Sequence, residues 1–581
     1  MPRRNSASVA SAKQAAPQPA PEAQPDPLAR FHPAVRAWFR GAFGAPTEPQ
    51  VQGWAAIARG ESTLLLAPTG SGKTLAAFLF CLNRLLFEPR PEPALRCRVL
   101  YISPIKALAV DVERNLRAPL VGIARVAEGL GAPLYMPEVR IRTGDTTQAE
   151  RAQFRRGSAD ILITTPESLF LLLTSSARSL LGGVDTVIID EIHTLVGSKR
   201  GAHLALSLER LLALRGQPIQ RIGLSATARP LDEVAHFLGG AIVGPAAELP
   251  TPDDQPRATA ALPSDEEDAL GSVAVSLPPD EDAPRPGAAP LPPTDESAPR
   301  SAAASAAERE KKDAPKFATA SAAARDDEDA PGSAAPLGAR FRPVTVLATS
   351  PRRRLELRIQ VPVEDMAKLA GFAELPSGSA AQPLKRPSSW SAIQPQLLAL
   401  IRAHQTTLLF VNSRRVAERL ATALNDLAAE EAQAQAEQAH LGAAAGEALV
   451  LGDAAPQALV RAHHGSLAHK QRQEIEDQLK LGQLRALVAT SSLELGIDMG
   501  TVDLVVQIES PPSVASGLQR IGRAGHQVGG TARGVIFPRF RADLLACAAA
   551  ARAMREGRVE STRYPRCPLD VLSQQIVATV A

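Results

Sequence analysis

At 581 residues the chain is long enough for two or three domains with full-sized cores, and 45% hydrophobic content with a formal net charge of +3 is ordinary for a soluble protein. No apolar run reaches membrane-spanning length and the N-terminus lacks the apolar centre of a secretory signal, which argues against a membrane protein and for the cytoplasm. The four cysteines, Cys81, Cys97, Cys547 and Cys567, show no CxxC or Cys/His spacing, so neither a zinc site nor a disulfide framework is indicated.

Residues 1–27, containing "AAPQPAPEAQPDP", read as a disordered Ala/Pro arm. From 28 to 245, short apolar runs ("STLLLA", "RVLYIS", "DILITT", "TVIID", "RIGLSA") alternate with helical patterns such as "HLALSLERLLAL", which predicts an α/β domain built on a parallel sheet. The strand "STLLLA" runs into "APTGSGKT" (Ala67, Pro68, Thr69, Gly70, Ser71, Gly72, Lys73 and Thr74) and then into the helical "LAAFLF". This is the phosphate-loop pattern with Ala67 where the general form has glycine. Gly70 and Gly72 let backbone N–H groups curl around phosphate oxygens at a helix N-terminus. Lys73 would reach the β and γ phosphates of a nucleotide, and the Thr74 hydroxyl would ligate Mg2+.

The run "VDTVIIDEIHTL" carries Asp190, Glu191 and His193 at the end of a buried-looking strand. Ligands of parallel sheets sit at the carboxyl ends of strands, so Asp190 is expected beside the phosphate loop as a Mg2+ ligand, directly or through water. Glu191 is suited to orienting and deprotonating the attacking water. His193 has no second His or Cys nearby to share a metal and reads as a polar contact that senses the nucleotide.

Residues 246–340 hold 19 acidic against 9 basic residues, so the segment carries −10 and the rest of the chain +13, enough to hold a polyanion. Rich in Pro, Ala and Ser, the segment reads as a disordered acidic insertion tethering two domains; partner docking is the alternative to a plain spacer. From 341 to 560 the α/β alternation resumes with "TTLLFV", "ALVAT" and "VDLVVQI", and an Ala/Glu/Gln stretch, Leu427 to Gly446, forms an exposed helix or a loop. "QRIGRAGH", Gln519 to His526, sets Arg520 and Arg523 one helical turn apart, able to reach a γ phosphate held by the other domain as an arginine finger; a solvated helix face is the alternative. Residues 561–581 end in "PLDVLSQQIVATVA", a helical pattern cut off midway, as in a truncated chain or fragment.

In order, Gln50 in "PTEPQ", then "APTGSGKT", "SPIKAL", "TTPES", "DEIH", "SAT", "LLFVNSRR", "TSSLELGIDM" and "QRIGRAGH" resemble superfamily 2 helicases motif by motif. "VEDM", "AHHGSL", the run from "SSLELGIDM" to "GRAGHQVGG" and "RCPLDVLSQQIVA" resemble, more narrowly, the Lhr (large helicase-related) DEAD/DEAH-type family. The resemblance implies an α/β fold of two RecA-like domains, each a mostly parallel sheet flanked by helices, with the beginning of a winged-helix domain at the C-terminus.

It also implies roles. Gln50 would read the adenine; Ser225 and Thr227 of "SAT", with His193, would couple hydrolysis to domain motion; Asp498 of "GIDM" would contact the nucleotide across the cleft. Ser103, Pro104, Lys106, Thr165 and Pro166 in the first domain, with Ser413, Arg414, Thr490 and Ser491 in the second, would touch the sugar-phosphate backbone, a grip without sequence preference. For these residues the alternative is a strand-end polar group serving its own loop, and for Lys106 a solvated side chain. Many superfamily 2 members carry a third arginine where this chain has His526, which puts the finger on Arg523 with Arg520 second. The implied function is an ATP- and Mg2+-dependent monomeric helicase or translocase moving 3′ to 5′ on single-stranded DNA. It would unwind DNA or RNA:DNA duplexes in DNA repair. RNA remodelling, and an ATP-switched nucleic-acid binding module, are the alternatives.

Overall fold

The apolar runs become strands. In the computed structural model the first domain contains β1 (Thr63–Leu66), β2 (Val99–Ile102), β3 (Val139–Arg142), β4 (Ile161–Thr164), β5 (Thr186–Ile189) and β6 (Gln220–Ser225). β1, β2, β4 and β5 are four-residue runs buried along their whole length, as parallel strands covered on both faces must be. Helices α1 (Pro33–Phe43) and α2 (Glu48–Ala58) precede β1, and α3 (Lys73–Phe87), α4 (Lys106–Gly129), α5 (Gln148–Arg156) and α6 (Pro166–Leu173) make the successive crossovers. The short α7 (His193–Val196) and the longer α8 (Lys199–Arg215) join β5 to β6, and α9 (Leu231–Gly239) follows β6. Alternate side chains divide between two apolar clusters, Leu65, Tyr101, Ile163 and Ile188 on one face and Leu64, Leu100, Leu162 and Val187 on the other.

The structure describes residues 26–68, 70–156, 159–242, 340–349, 354–363, 366, 389–442, 458–495, 500, 502–525 and 530–580, all within one compact unit. The N-terminal arm through residue 25 and the acidic insertion from 243 to 339 lie outside the described residues.

The place of that insertion differs from the expected tether. Two-residue strands β7 (Ala241–Ile242) and β8 (Arg340–Phe341) pair antiparallel, with Ile242 opposite Arg340. The chain then adds β9 (Thr345–Ala348) to the first sheet, parallel to β1, giving the order β3-β4-β2-β5-β6-β1-β9. The insertion is therefore an excursion from within the first domain, and the second domain starts after residue 348 rather than at 341. The stem is anchored by charge: Glu209 receives Arg342 at 2.7 and 2.8 Å and Arg221 at 3.0 Å, while Arg221 also donates to the carbonyls of Leu238 and Gly239.

The second sheet is also parallel, β10 (Leu355–Ile359), β11 (Thr407–Phe410), β12 (Val460–His463), β13 (Ala486–Ala489), β14 (Leu504–Ile508) and β15 (Ala532–Phe537), in the order β10-β15-β14-β11-β13-β12. Around it lie α10 (Ser389–Ala403), α11 (Arg414–Gly442), α12 (His469–Lys480), α13 (Val514–Ile521) and α14 (Arg541–Glu556). The Ala/Glu/Gln stretch continues α11 as far as Gly442, with residues 429–437 mostly exposed.

After α14 the chain returns to the first domain. Thr562 N–H donates to the Arg229 carbonyl (2.6 Å) and Tyr564 N–H to Glu233 (3.2 Å). The final helix, α15 (Leu569–Val580), lies on α8, where Arg210 donates to Gln575 (3.0 Å) and Gln575 to Ser207 (3.2 Å). The segment expected to open a winged-helix domain is this strap and helix. No described helix is long and apolar enough to cross a membrane.

Candidate active site

The phosphate loop leaves β1 with its first amide tied down, Ala67 N–H donating to the Ser225 carbonyl of neighbouring β6 at 3.1 Å. Gly72, the residue before α3, has φ +84°, and a Cβ there would stand 2.5 Å from Gln50 Nε2. Glycine is thus required both for the backbone conformation and for the close approach of Gln50. That glutamine, in the first turn of α2 and buried, accepts from Thr47 N–H (2.9 Å), while the Thr47 hydroxyl donates to the Ser71 carbonyl (2.9 Å). The expected adenine reader is therefore built into the loop's flank. Lys73 curls over the loop, donating to the carbonyls of Pro68 (2.8 Å) and Ala67, and Thr74 follows half-buried in the first turn of α3. Gly70 adopts φ +77°, and Thr69 lies outside the described residues.

Asp190 and Glu191 emerge from β5, two strands from β1, and reach the same site. Lys73 is near enough to act electrostatically on both Asp190 and His193. Asp190 accepts the Glu191 N–H on Oδ1 (2.8 Å) and the Tyr101 hydroxyl on Oδ2. Burial, with Glu191 alongside, pushes Asp190 up to about 6, against the pull of Tyr101, the Glu191 amide and Lys73. Burial, with Asp190 beside it, raises the Tyr101 phenol well above its usual range, so it stays a donor.

Glu191 holds φ +44°, a left-handed conformation that costs a side-chain-bearing residue roughly 1–2 kcal/mol. Its Oε2 is buried without a hydrogen-bond partner among the described residues, which is costly for a carboxylate oxygen unless water or ligand meets it. The unpaired oxygen, the Gly72 cradle and the clustered Lys73 and Asp190 fit a Mg2+-nucleotide with an attacking water.

His193 does more than line the pocket. Burial, then Lys73, lower it to about 4, so the ring is neutral. Gln519 Nε2 from the second domain meets His193 Nε2 at 2.6 Å and also donates to Thr227 Oγ1 at 3.1 Å. Since the amide N–H donates, the ring proton sits on Nδ1 and is shared with Ser225 Oγ at 3.0 Å, and that hydroxyl donates to the Thr227 carbonyl at 3.2 Å. The ring also stands 3.6 Å from Glu191 Oε2. One hydrogen-bonded path therefore joins "QRIGRAGH" to "DEIH" and "SAT".

Arg520 and Arg523 part company. Arg520 does not project toward the other domain: it donates to Glu494 (2.7 Å), Asn412 (3.0 Å) and Gln507 (2.8 Å), with its guanidinium 5.2 Å from the Phe410 ring centre. Every one of these partners belongs to the second domain, so its expected finger role gives way to a buried brace inside that domain. Arg523 is also buried and donates to the Glu494 carbonyl at 2.9 Å. Asp498 and His526 lie outside the described residues.

The expected nucleic-acid contacts form two groups at strand ends. In the first domain Ser103, Pro104, Thr165 and Pro166 are buried. Ser103 donates to the Ile105 carbonyl (2.7 Å), Pro104 accepts from Arg200 (2.6 Å), and Thr165 donates to Ser168 (3.2 Å). Lys106 alone of that group is exposed, paired with Asp145 at 2.5 Å. In the second domain Ser413, Arg414 and Ser491 are exposed and Thr490 half-buried, with Arg414 donating to Ser466 at 2.6 Å.

Two family models match: DEAD/DEAH box helicase over residues 47–234 and helicase conserved C-terminal domain over residues 392–527. A Lhr helicase and probable uracil glycosylase of Mycolicibacterium smegmatis is 43% identical over 562 residues, 96% of this chain and 30% of that protein. An ATP-dependent helicase Lhr-Core protein 2 of Thermococcus barophilus is 34% identical over 94% of this chain and 48% of its own length. The solved structure of Mycobacterium smegmatis helicase Lhr bound to single-stranded DNA and AMP-PNP superposes with a TM-score of 0.68 at 42% identity, covering 95% of this chain and 53% of that one. The chain belongs to the Lhr family of DEAD/DEAH-box helicases.

As an Lhr-family chain it carries two RecA-like domains and spans less than half the length of the two curated relatives described above. Two contributors to its site escaped the sequence reading. Tyr101 sits in an apolar strand and looks like core, and Gln519 opens a motif in which the arginines draw attention. Their signals were a lone phenol at the end of a buried strand and an amide facing a histidine, neither of which spacing alone can pair.

Proposed function

We propose that this chain is the ATP-hydrolysing motor of an Lhr-type helicase, translocating 3′ to 5′ along single-stranded DNA, separating DNA or RNA:DNA duplexes and serving DNA repair. The observation that carries the reading is the Gln519–His193–Ser225–Thr227 path, because it places the second domain in hydrogen-bond contact with the catalytic motifs of the first. The relative solved with AMP-PNP and single-stranded DNA supports ATP and a single strand as ligands.

In this reading the backbone of Gly70, Ser71 and Gly72 with Lys73 binds the phosphates, and Gln50 selects the base. Thr74 and Asp190 would hold Mg2+, which when bound neutralises charge on the phosphates. Glu191 orients the attacking water and takes its proton through the buried oxygen that has no hydrogen-bond partner among the described residues. Arg523 completes the site from the second domain, and Gln519 reports to it through His193 whether the catalytic loop is set. Ser413, Arg414, Thr490 and Ser491, with Lys106 opposite, hold the sugar-phosphate backbone, so a change in domain separation moves the strand.

The test is steady-state ATPase of the chain alone and with single-stranded DNA, single-stranded RNA or duplex. Stimulation by single-stranded DNA, reduced about 100-fold or more in Glu191→Gln, is the expected result. Strand displacement on substrates with 3′ or 5′ tails then fixes direction. Hydrolysis indifferent to every polymer, in this chain and in the longer protein, would sink the proposal, and stimulation by RNA alone would favour the remodelling alternative.

A further inference from the structure

We propose that Tyr101 is a positioning residue for the metal-binding carboxylate: its hydroxyl holds Asp190 in the orientation that receives the Mg2+ of the nucleotide. The inference rests on the ATPase reading above and adds to it a residue outside the phosphate-loop and "DEIH" motifs.

Strand register accounts for the encounter. Tyr101 of β2 lies directly opposite Ile188 of β5. Asp190 is two residues beyond Ile188 and so emerges on the same face of the sheet, one pleat further toward the ligand end. A phenol is long enough to span that step, and its oxygen arrives at Asp190 Oδ2. The hydrophobic core explains the ring but not the hydroxyl. A phenylalanine would fill the same space, and a fully buried O–H has to find an acceptor. The acceptor here is one oxygen of the carboxylate expected to meet the metal, and the other oxygen is held by the Glu191 N–H at 2.8 Å. Each carboxylate oxygen accepts about two hydrogen bonds, so both are oriented and neither is used up.

The ring makes a second connection. Tyr101 stacks on Phe78 with centroids 5.3 Å apart and planes 29° from parallel. Phe78 belongs to α3, the helix whose first turn carries Lys73 and Thr74. One side chain thus touches both halves of the expected Mg2+ ligand set, α3 through its ring and Asp190 through its hydroxyl. The distance between Thr74 and Asp190 is set partly by the size of this residue.

The experiment compares the full chain with Tyr101→Phe, using a fluorescent, non-hydrolysable ATP analogue titrated with Mg2+. With EDTA present the two proteins should bind the analogue equally within about twofold, which also shows that the variant is folded. The Mg2+ concentration that gives half-maximal enhancement of binding should rise roughly tenfold, the effect of one hydrogen bond to a charged group. In an Asp190→Asn background, Tyr101→Phe should add nothing, as expected for two residues acting through one contact. An unchanged Mg2+ requirement in the single variant, or full additivity in the double, overturns the inference. Failure of the unmodified chain to bind the analogue at all would instead overturn the ATPase reading, and the inference with it.

Discussion

The two groups proposed to contact nucleic acid are built on opposite plans. In the first domain Ser103, Thr165 and their prolines are buried, with the two hydroxyls spent locally and the Pro104 carbonyl accepting from Arg200 of α8, leaving Lys106 as the exposed cation of the group. In the second domain Ser413, Arg414 and Ser491 face solvent. The first group holds the shape of the strand ends that also bear the nucleotide site, and the second is available for a ligand. A residue matching a motif can therefore serve by scaffolding or by touching, and burial separates the two.

The strongest way to break this comparison is inside the second domain. Arg520→Ala removes a buried guanidinium and leaves the half-buried Glu494 carboxylate without it, and is expected to destabilise that domain by up to about 3–5 kcal/mol, read by thermal or denaturant unfolding. An Arg520→Ala protein of normal stability but lost ATPase would return Arg520 to the finger role. Next, Ser103→Ala and Thr165→Ala should each lower stability by about 1 kcal/mol, whereas Ser413→Ala and Ser491→Ala should stay within about 0.5 kcal/mol of the parent. The latter pair should instead raise the DNA concentration that half-stimulates ATPase. Arg414→Ala should weaken single-strand binding uniformly across sequences and lower the salt slope by about 1. The smallest effect is expected of Lys106→Ala on stability, since its exposed pair with Asp145 is worth roughly 0–1 kcal/mol; an unaltered salt slope there would leave the first domain without a direct phosphate contact.

Much of this was legible in the chain. The buried runs, the phosphate loop and the carboxylates at the end of β5 follow from residue type and local order, because a strand covered on both faces admits little but apolar residues. Pairings over long separations were not. β9 is a four-residue run close in sequence to the second domain, and nothing in "TVLA" says that its partner is β1. Arg520 and Arg523 share a helical face by spacing, yet Glu494 and Gln507 capture one of them. Tyr101 and Gln519 became visible when the fold brought an acceptor and a histidine to them.

The β7–β8 stem makes the first domain a natural host for foreign sequence. Because Ile242 and Arg340 are cross-strand neighbours, whatever joins them begins and ends at one point on the surface, and its length places no tension on either sheet. Loop closure adds only about 0.6 kcal/mol for each doubling of length. A reporter domain or a short turn spliced between 242 and 340 should therefore leave the geometry of the two sheets as it is.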